Sequence, residues 1–307
     1  MEENTSAQKQ RGFSWFPGHM RKALRQLEES LNLADIVLLV MDARIPAASR
    51  QPDLEELLQR KHKELIFVLN KTDLAEEAET KKWLAWFKAN NLAAVAMRST
   101  AGKGAGPLEG AIARLRRSVE EKRRAKGLRP RDPRLVVAGI PNVGKSSLLN
   151  RLAGATRAKT GAKPGVTRGS QWVAVPNHWQ ILDSPGILYP RIDTVETLTA
   201  LAAASCVRHD AIPLEMVGGL LLERLWAKRK VKNVVPASLA EKWKSQEHLV
   251  PEQMLIELAT AKNFSLNGQE ADLPRCARFV LKAFAQGEVG PITLETAPTI
   301  ETPTEQA

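Results

Sequence analysis

The fold is decided by LVVAGIPNVGKSSLLNRL, residues 135–152. A β-branched run, Leu135–Ala138, leads straight into GIPNVGKS at Gly139–Ser146, and Ser146–Leu152 opens a helix. That strand–loop–helix order is the setting a G-x-x-x-x-G-K-S loop requires to hold phosphate. Gly139 and Gly144 let backbone amides of the run Asn142, Val143, Gly144, Lys145, Ser146 and Ser147 wrap α- and β-phosphates. Lys145 brings a cation to the β- and γ-phosphates. Ser146 offers a hydroxyl to Mg2+.

Working outward, NKTD at Asn70–Asp73 follows a second buried run, LIFVL at Leu65–Leu69. A carboxylate at Asp73 can accept both the N1–H and the exocyclic amine of guanine, a pair that adenine cannot make. Asn70 can bond near O6, the Lys71 stem can pack on the ring, and Thr72 counts with them as a nucleotide-binding residue. Sites built on such polar pairs reject the wrong partner by roughly 10⁴-fold. Ser99 and Thr100 follow the next strand, where a backbone amide would reach O6. On the other side, DSPG at Asp183–Gly186 follows the strands Gln171–Val175 and Gln180–Leu182. Asp183 would reach Mg2+ through water, and the Gly186 amide would bond the γ-phosphate. Thr167, in KPGVT, lies 21 residues after Ser146 and suits the threonine that completes the magnesium shell.

The order of these motifs is inverted. In an ordinary small GTPase the phosphate loop comes first; here the guanine signature leads it by about 70 residues. The expectation is a circularly permuted Ras-like domain, an α/β doubly wound sheet in which strands alternate with helices. Ile36–Met41 reads as a buried parallel strand, and Ala93–Met97 as another. Asp53–Arg60, Thr80–Ala89 and Leu108–Lys126 read as helices. Beyond Arg191 the strand signal stops, and apolar residues such as Leu214, Val217, Leu221 and Leu225 recur at helical spacing. The expected division is a disordered N-terminus at 1–12, a permuted GTPase domain at 13–190, a smaller all-α domain at 191–290, and a mostly disordered tail at 291–307. The tail contains no Lys or Arg and is rich in Thr, Pro and Glu.

Length and charge agree with this plan. A chain of 307 residues suits about two domains with a real core. Forty-five basic against 34 acidic residues give +11, which favours a polyanionic partner such as nucleic acid; the bland alternative is an exposed solvated surface. Ten of the basic residues lie between Arg114 and Arg134, with three acids. This stretch reads either as an RNA-backbone contact or as a charged helix face and solvated linker. Cys206 and Cys276 are far apart, with neither metal spacing nor a disulfide framework, which fits a reducing cytoplasm. The first residues, MEENTSAQKQ, are polar and hold no signal core. No apolar run approaches the roughly 18–20 residues of a membrane span. A monomer is the default expectation.

One residue breaks the Ras pattern. A Gln just after DxxG normally orients the attacking water, and this chain has Ile187. An aliphatic side chain cannot hold water, so intrinsic hydrolysis should be slow or the orienting group must come from elsewhere. His19 in WFPGHM has a suitable titration range for that task; its other reading is a turn histidine touching RNA or the core.

Taken together, WFPGHM, DARIP at Asp42–Pro46, NKTD, GIPNVGKSSLLN, KPGVT and DSPGIL resemble the circularly permuted GTPases of ribosome assembly, and among them the ribosome biogenesis GTPase A (YlqF/RbgA) family. The resemblance spans about residues 13–297. It implies a C-terminal helical, ANTAR-like RNA-binding domain. It also implies action in late maturation of the large (50S) ribosomal subunit, through its rRNA, with hydrolysis stimulated by that subunit. It gives His19 a role in hydrolysis beside Lys145, Thr167 and Gly186, and makes Asn142 a K+ ligand. At Pro291 the chain departs from the family, which usually has a basic residue there. Two functions remain open: a GTP hydrolase that cycles on and off immature subunits, and a nucleotide-controlled placeholder with incidental turnover. An ATP-using enzyme conflicts with NKTD.

Overall fold

The computed structural model describes residues 28–100, 106–153, 171–175, 179–183, 192–268 and 270–300, with backbone only for residues 171–175 and for Asp183. At its centre stands β1 (Ile36–Asp42), whose seven residues are all buried. An unbroken apolar run is what a strand covered on both faces needs. β2 (Glu64–Asn70) pairs with it in parallel on one side and β4 (Arg134–Ala138) on the other. With β3 (Ala94–Ala96), β5 (Gln171–Val175) and β6 (Trp179–Asp183) the order is β3-β2-β1-β4-β6-β5. Among the described strands of this sheet only β5 runs antiparallel, against β6.

Crossovers are made by α1 (Pro46–Ser49), α2 (Pro52–Arg60), α3 (Glu77–Ala89) and α4 (Gly106–Ala125). Aromatic packing pins α3 to the sheet: the Phe67 and Phe87 rings lie 4.7 Å apart, and Trp83 is buried beside them. The helix begins earlier than the expected Thr80, because Glu77 and Glu79 supply a first turn whose charge suits a helix N-terminus. β3 is shorter than the expected Ala93–Met97. Its pairing still reaches both ends, through Phe67 N to Ala93 O and Met97 N to Leu69 O.

Parallel pairing places Asp42, Asn70 and the end of β4 along one edge, with Asp42 opposite Asn70. The winding direction reverses between β1 and β4. In such sheets the crevice at that reversal, outside the carboxyl ends of the strands, is where ligands bind. Read from β4 onward and joined end to start, the strands run β4, β5, β6, β1, β2, β3. The phosphate-loop strand would then come first and the NKTD strand fifth, which is the permuted order expected from the motifs.

Residues beyond 192 form a second core from α6 (Val195–Ala203), α7 (Leu214–Ala227), α8 (Ala237–Lys244), α9 (Pro251–Ala261) and α10 (Leu273–Gln286). α6 is a shared wall: Ala200 and Leu201 face the sheet core, Leu198 and Ala202 the helical core. The consecutive glycines of α7 make the tight crossings. A side chain at Gly218 would strike Ala277 of α10 at 2.5 Å, and one at Gly219 the Pro251 carbonyl at 2.8 Å. Each glycine costs about 1 kcal/mol of helix propensity, offset by the closer packing. To the expected helices the structure adds a two-residue ladder, β7 (Ser265–Leu266) with β8 (Glu270–Ala271). Between them Asn267 and Gly268 both take positive φ, the region that asparagine and glycine tolerate best.

The expected disordered tail is corrected for residues 291–297. Ile292 and Thr293 are buried. Ile292 N donates to Leu74 O, Leu294 N to Arg44 O, and the Glu295 carboxylate accepts from Ala47 N at 2.6 Å and Ala48 N at 3.1 Å. Bulk composition misses this strap because the apolar anchors Ile292 and Leu294 are few among polar residues.

Candidate functional site

Three loops at the carboxyl edge are joined through one side chain. Asn70, the buried last residue of β2, donates from Nδ2 to Val143 O at 2.8 Å and accepts at Oδ1 from Ser99 N at 3.0 Å. A buried amide left half-bonded would cost about 1–3 kcal/mol, so this geometry holds the NKTD turn, the phosphate loop and the Ser99 loop together. Gly144 permits the approach: its φ is +98°, and any side chain there would collide with Asn70. The Asn70 side chain thus bonds protein backbone with both amide atoms, where the sequence suggested a contact near guanine O6.

Lys71 sits in the left-handed region, with φ 61°. Its Nζ donates to Asn142 O at 2.6 Å and lies 2.9 Å from Asp42 Oδ2. Thr72 and Asp73 belong to a 3-10 turn, Thr72–Leu74. Asp73 Oδ2 lies 3.3 Å from Arg98 Nε, and Arg98 Nε in turn reaches Thr100 Oγ1 at 3.4 Å. Thr100 is exposed, and Ser99 Oγ is buried without a hydrogen-bond partner among the described residues.

On the phosphate loop, Val143 is fully buried and Asn142 takes φ 61°. Asn142 Nδ2 donates to Ser205 O at 2.5 Å. Lys145 Nζ donates to Ile140 O at 2.7 Å. Burial pushes its ammonium down to about 8. The loop runs into α5 (Lys145–Ala153), whose first turn carries no acidic residue. A helix start of that kind favours an anion. Ser146 is exposed and Ser147 half-buried on this turn. The exposed Ser146 hydroxyl is a hard oxygen of the kind Mg2+ prefers. Asp183 ends β6 on the same side of the sheet, with its side chain outside the described set. His19, Thr167, Gly186 and Ile187 lie outside the described residues. Among those described, no group of three His, Cys, Asp or Glu could hold a metal by itself.

Sequence reasoning attached no role to Asp42, Arg44, Arg98 or Ser205. DARIP carried the first two as part of the resemblance. Arg98 and Ser205 belong to no motif, and their contacts are long-range.

A doubly wound sheet that meets a glycine phosphate loop and an NKTD turn at one edge, with that turn earlier in the chain, defines a circularly permuted P-loop GTPase. A family model described as a 50S ribosome-binding GTPase matches residues 134–217. Ribosome biogenesis GTPase A of Bacillus cereus is 37% identical over 286 residues, covering 92% of this chain and 93% of that protein. The Thermotoga maritima protein of the same name is 31% identical over 296 residues, covering 95% and 97%. The crystal structure of GNP-bound YlqF from T. maritima aligns with a TM-score of 0.64 at 25% identity, covering 90% of this chain and 98% of that one. The chain belongs to the ribosome biogenesis GTPase A family and is a GTPase.

Proposed function

We propose that the protein hydrolyses GTP during late assembly of the large ribosomal subunit, binds immature subunits through their rRNA in the GTP state, and leaves after subunit-stimulated hydrolysis. The observation that carries this reading is the Asn70 junction, which brings the phosphate and guanine motifs into one site, in a chain that matches nearly the whole length of proteins named for ribosome biogenesis. GTP lies along the crevice between β1 and β4. Asp73 reads the guanine edge, exchanging Arg98 for the base, while Ser99 and Thr100 close the pocket. The amides from Asn142 to Ser147 cradle the phosphates, and Lys145 draws charge off the β,γ-bridge. Ser146, Thr167 and Asp183 would hold Mg2+, which would neutralise phosphate charge there. Asn142 would hold K+ through its side-chain oxygen Oδ1, while its Nδ2 keeps the bond to Ser205 O. Gly186 senses the γ-phosphate, and His19 orients water in place of the side chain that Ile187 lacks.

Basic groups supply the rRNA contact. Arg116, Lys122 and Arg131 are engaged with Glu120, Glu64 and Asp35. Arg114, Arg117, Arg124, Lys126 and Arg129 are exposed along α4 and the segment after it, which suits phosphate contact. The protein acts as a monomer in the cytoplasm; no helix among the described residues is long and apolar enough to cross a membrane.

GTP turnover measured with and without large subunits is the test. We expect stimulation of at least about tenfold, in line with a group or ion supplied on the subunit. Unchanged turnover favours the second reading, a nucleotide-controlled placeholder, for which Ile187 is the supporting residue. Sedimentation with subunits in GTP-analogue and GDP states across a salt series then reads the switch direction and the electrostatic share together.

A further inference from the structure

Asp42 and Arg44 form a buried charge pair whose two ends touch different parts of the molecule. Asp42 is inaccessible to solvent and Arg44 nearly so. Arg44 grips the carboxylate with both prongs, Nε to Oδ1 at 2.9 Å and Nη2 to Oδ2 at 2.8 Å. Burial opposes ionisation of Asp42, yet the Arg44 guanidinium and Lys71 hold its carboxyl below the usual range. The remaining prong of Arg44 leaves the sheet region: Nη1 donates to Phe284 O at 2.8 Å and Ala285 O at 3.3 Å, at the end of α10, with the guanidinium 4.7 Å over the Phe284 ring. On the other side, Asp42 holds Lys71, Lys71 holds Asn142 O, and Asn142 holds Ser205 O in the connection between α6 and α7.

The contacts therefore make one continuous path. It starts in the helical region at Ser205, passes through the phosphate loop and the guanine-motif lysine, and returns to the helical region at Phe284. We propose that Asp42 and Arg44 are positioning residues that set Lys71 against guanine, and that this path couples nucleotide binding to the seating of the helical region at both of its ends. The proposal rests on the guanine-nucleotide reading of Lys71. Coupling through it is reciprocal: whatever factor nucleotide adds to the seating of α10, the seating adds to nucleotide affinity.

Hydrogen exchange on the full chain with and without GDP tests it, alongside direct titration of GDP. Two ends have separate reporters. The Gly287 and Glu288 amides bond Phe284 O and Ala283 O, and the Cys206 amide bonds Leu201 O. In the unsubstituted protein GDP should slow exchange at both by about fivefold or more. Arg44→Lys keeps a charge for Asp42 but not the fork that also reaches two carbonyls. It should abolish the slowing at Gly287 and Glu288, leave that at Cys206, and weaken GDP by the lost factor. Asn142→Ala should do the reverse at the two reporters. Equal slowing at each reporter in both variants, loss of both reporters together, or no slowing in the unsubstituted protein overturns the path. Should Arg44→Lys not fold, the exposed Asn142 still decides one end. If GDP fails to bind the unsubstituted chain at all, the guanine reading falls and the path with it.

Discussion

Around the sheet, buried polar side chains gather at the carboxyl ends of the strands: Asp42 at the end of β1, Arg44 and Ser49 after it, Asn70 at the end of β2, Ser99 after β3. In the helices beyond residue 192, the buried polar residue among those described is Thr199, which returns its hydroxyl to Val195 O. Both regions bury abundant Leu, Val and Ala. The difference is therefore not in how well they pack but in what the packing is spent on. Apolar burial at roughly 1.5–3 kcal/mol per large side chain supports either core. At the sheet edge the packing also carries a buried charge pair and a buried amide whose partners lie in other segments, and such groups tie loops into a site.

Substitution on each side should separate the two. Lys145→Ala removes the loop cation, and GDP affinity should fall roughly a hundredfold or more, the scale of a lost charge-assisted contact, with little change in melting temperature. Titration calorimetry and thermal unfolding together would reveal the opposite pattern. Leu221→Ala, at a fully buried α7 position, should cost about 2–5 kcal/mol of stability while GDP affinity stays within about threefold. A hundredfold loss of affinity there would dissolve the contrast between the regions. The smallest effect concerns pH. Burial brings Lys145 to about 8 from 10.5, so the free protein loses this charge as pH rises through that value, whereas bound phosphate would restore it. Binding should take up a proton, and GDP should bind about fivefold more weakly at pH 9 than at pH 8. A flat profile would mean that Lys145 keeps its proton in the free loop.

The sequence made the sheet region more legible than the helical one, for a physical reason. Phosphate and guanine chemistry forces residue types at fixed spacing, so Gly144, Lys145 and Asp73 announce themselves beside runs such as LVVA and LIFVL. Strand and helix identity was equally open to reading, with boundaries moving by a few residues where caps rather than periodicity decide. What stayed hidden depends on partners far away in the chain. Arg44 looks like any arginine until Phe284, 240 residues later, presents its carbonyl. Asn70 reads as a guanine ligand, because its roles toward Val143 and Ser99 exist only after three loops meet. The strap at 291–297 was misread because composition averages over residues, while Ile292 N and Leu294 N each make one decisive bond. Arg98 had no motif at all and is seen only as the ion partner of Asp73.

That strap carries a consequence for how the molecule is made. A chain emerging from its N-terminus presents β1, β2 and β3 first, and the opposite edge of β1 stays unpaired until β4 arrives almost 100 residues later. Exposed strand edges of this kind invite wrong pairing in unfinished chains. The Asp42–Arg44 pair waits longer still for part of its contacts: the Arg44 guanidinium donates to Phe284 O at the end of α10 and its backbone carbonyl accepts from Leu294 N, both partners among the last residues described to leave synthesis. Until then two charges and the turn they anchor remain in contact with water. The nucleotide pocket is thus finished only when the C-terminal segment folds back onto the sheet, and a chain truncated before residue 284 should fold its strands without acquiring a firm grip on guanine.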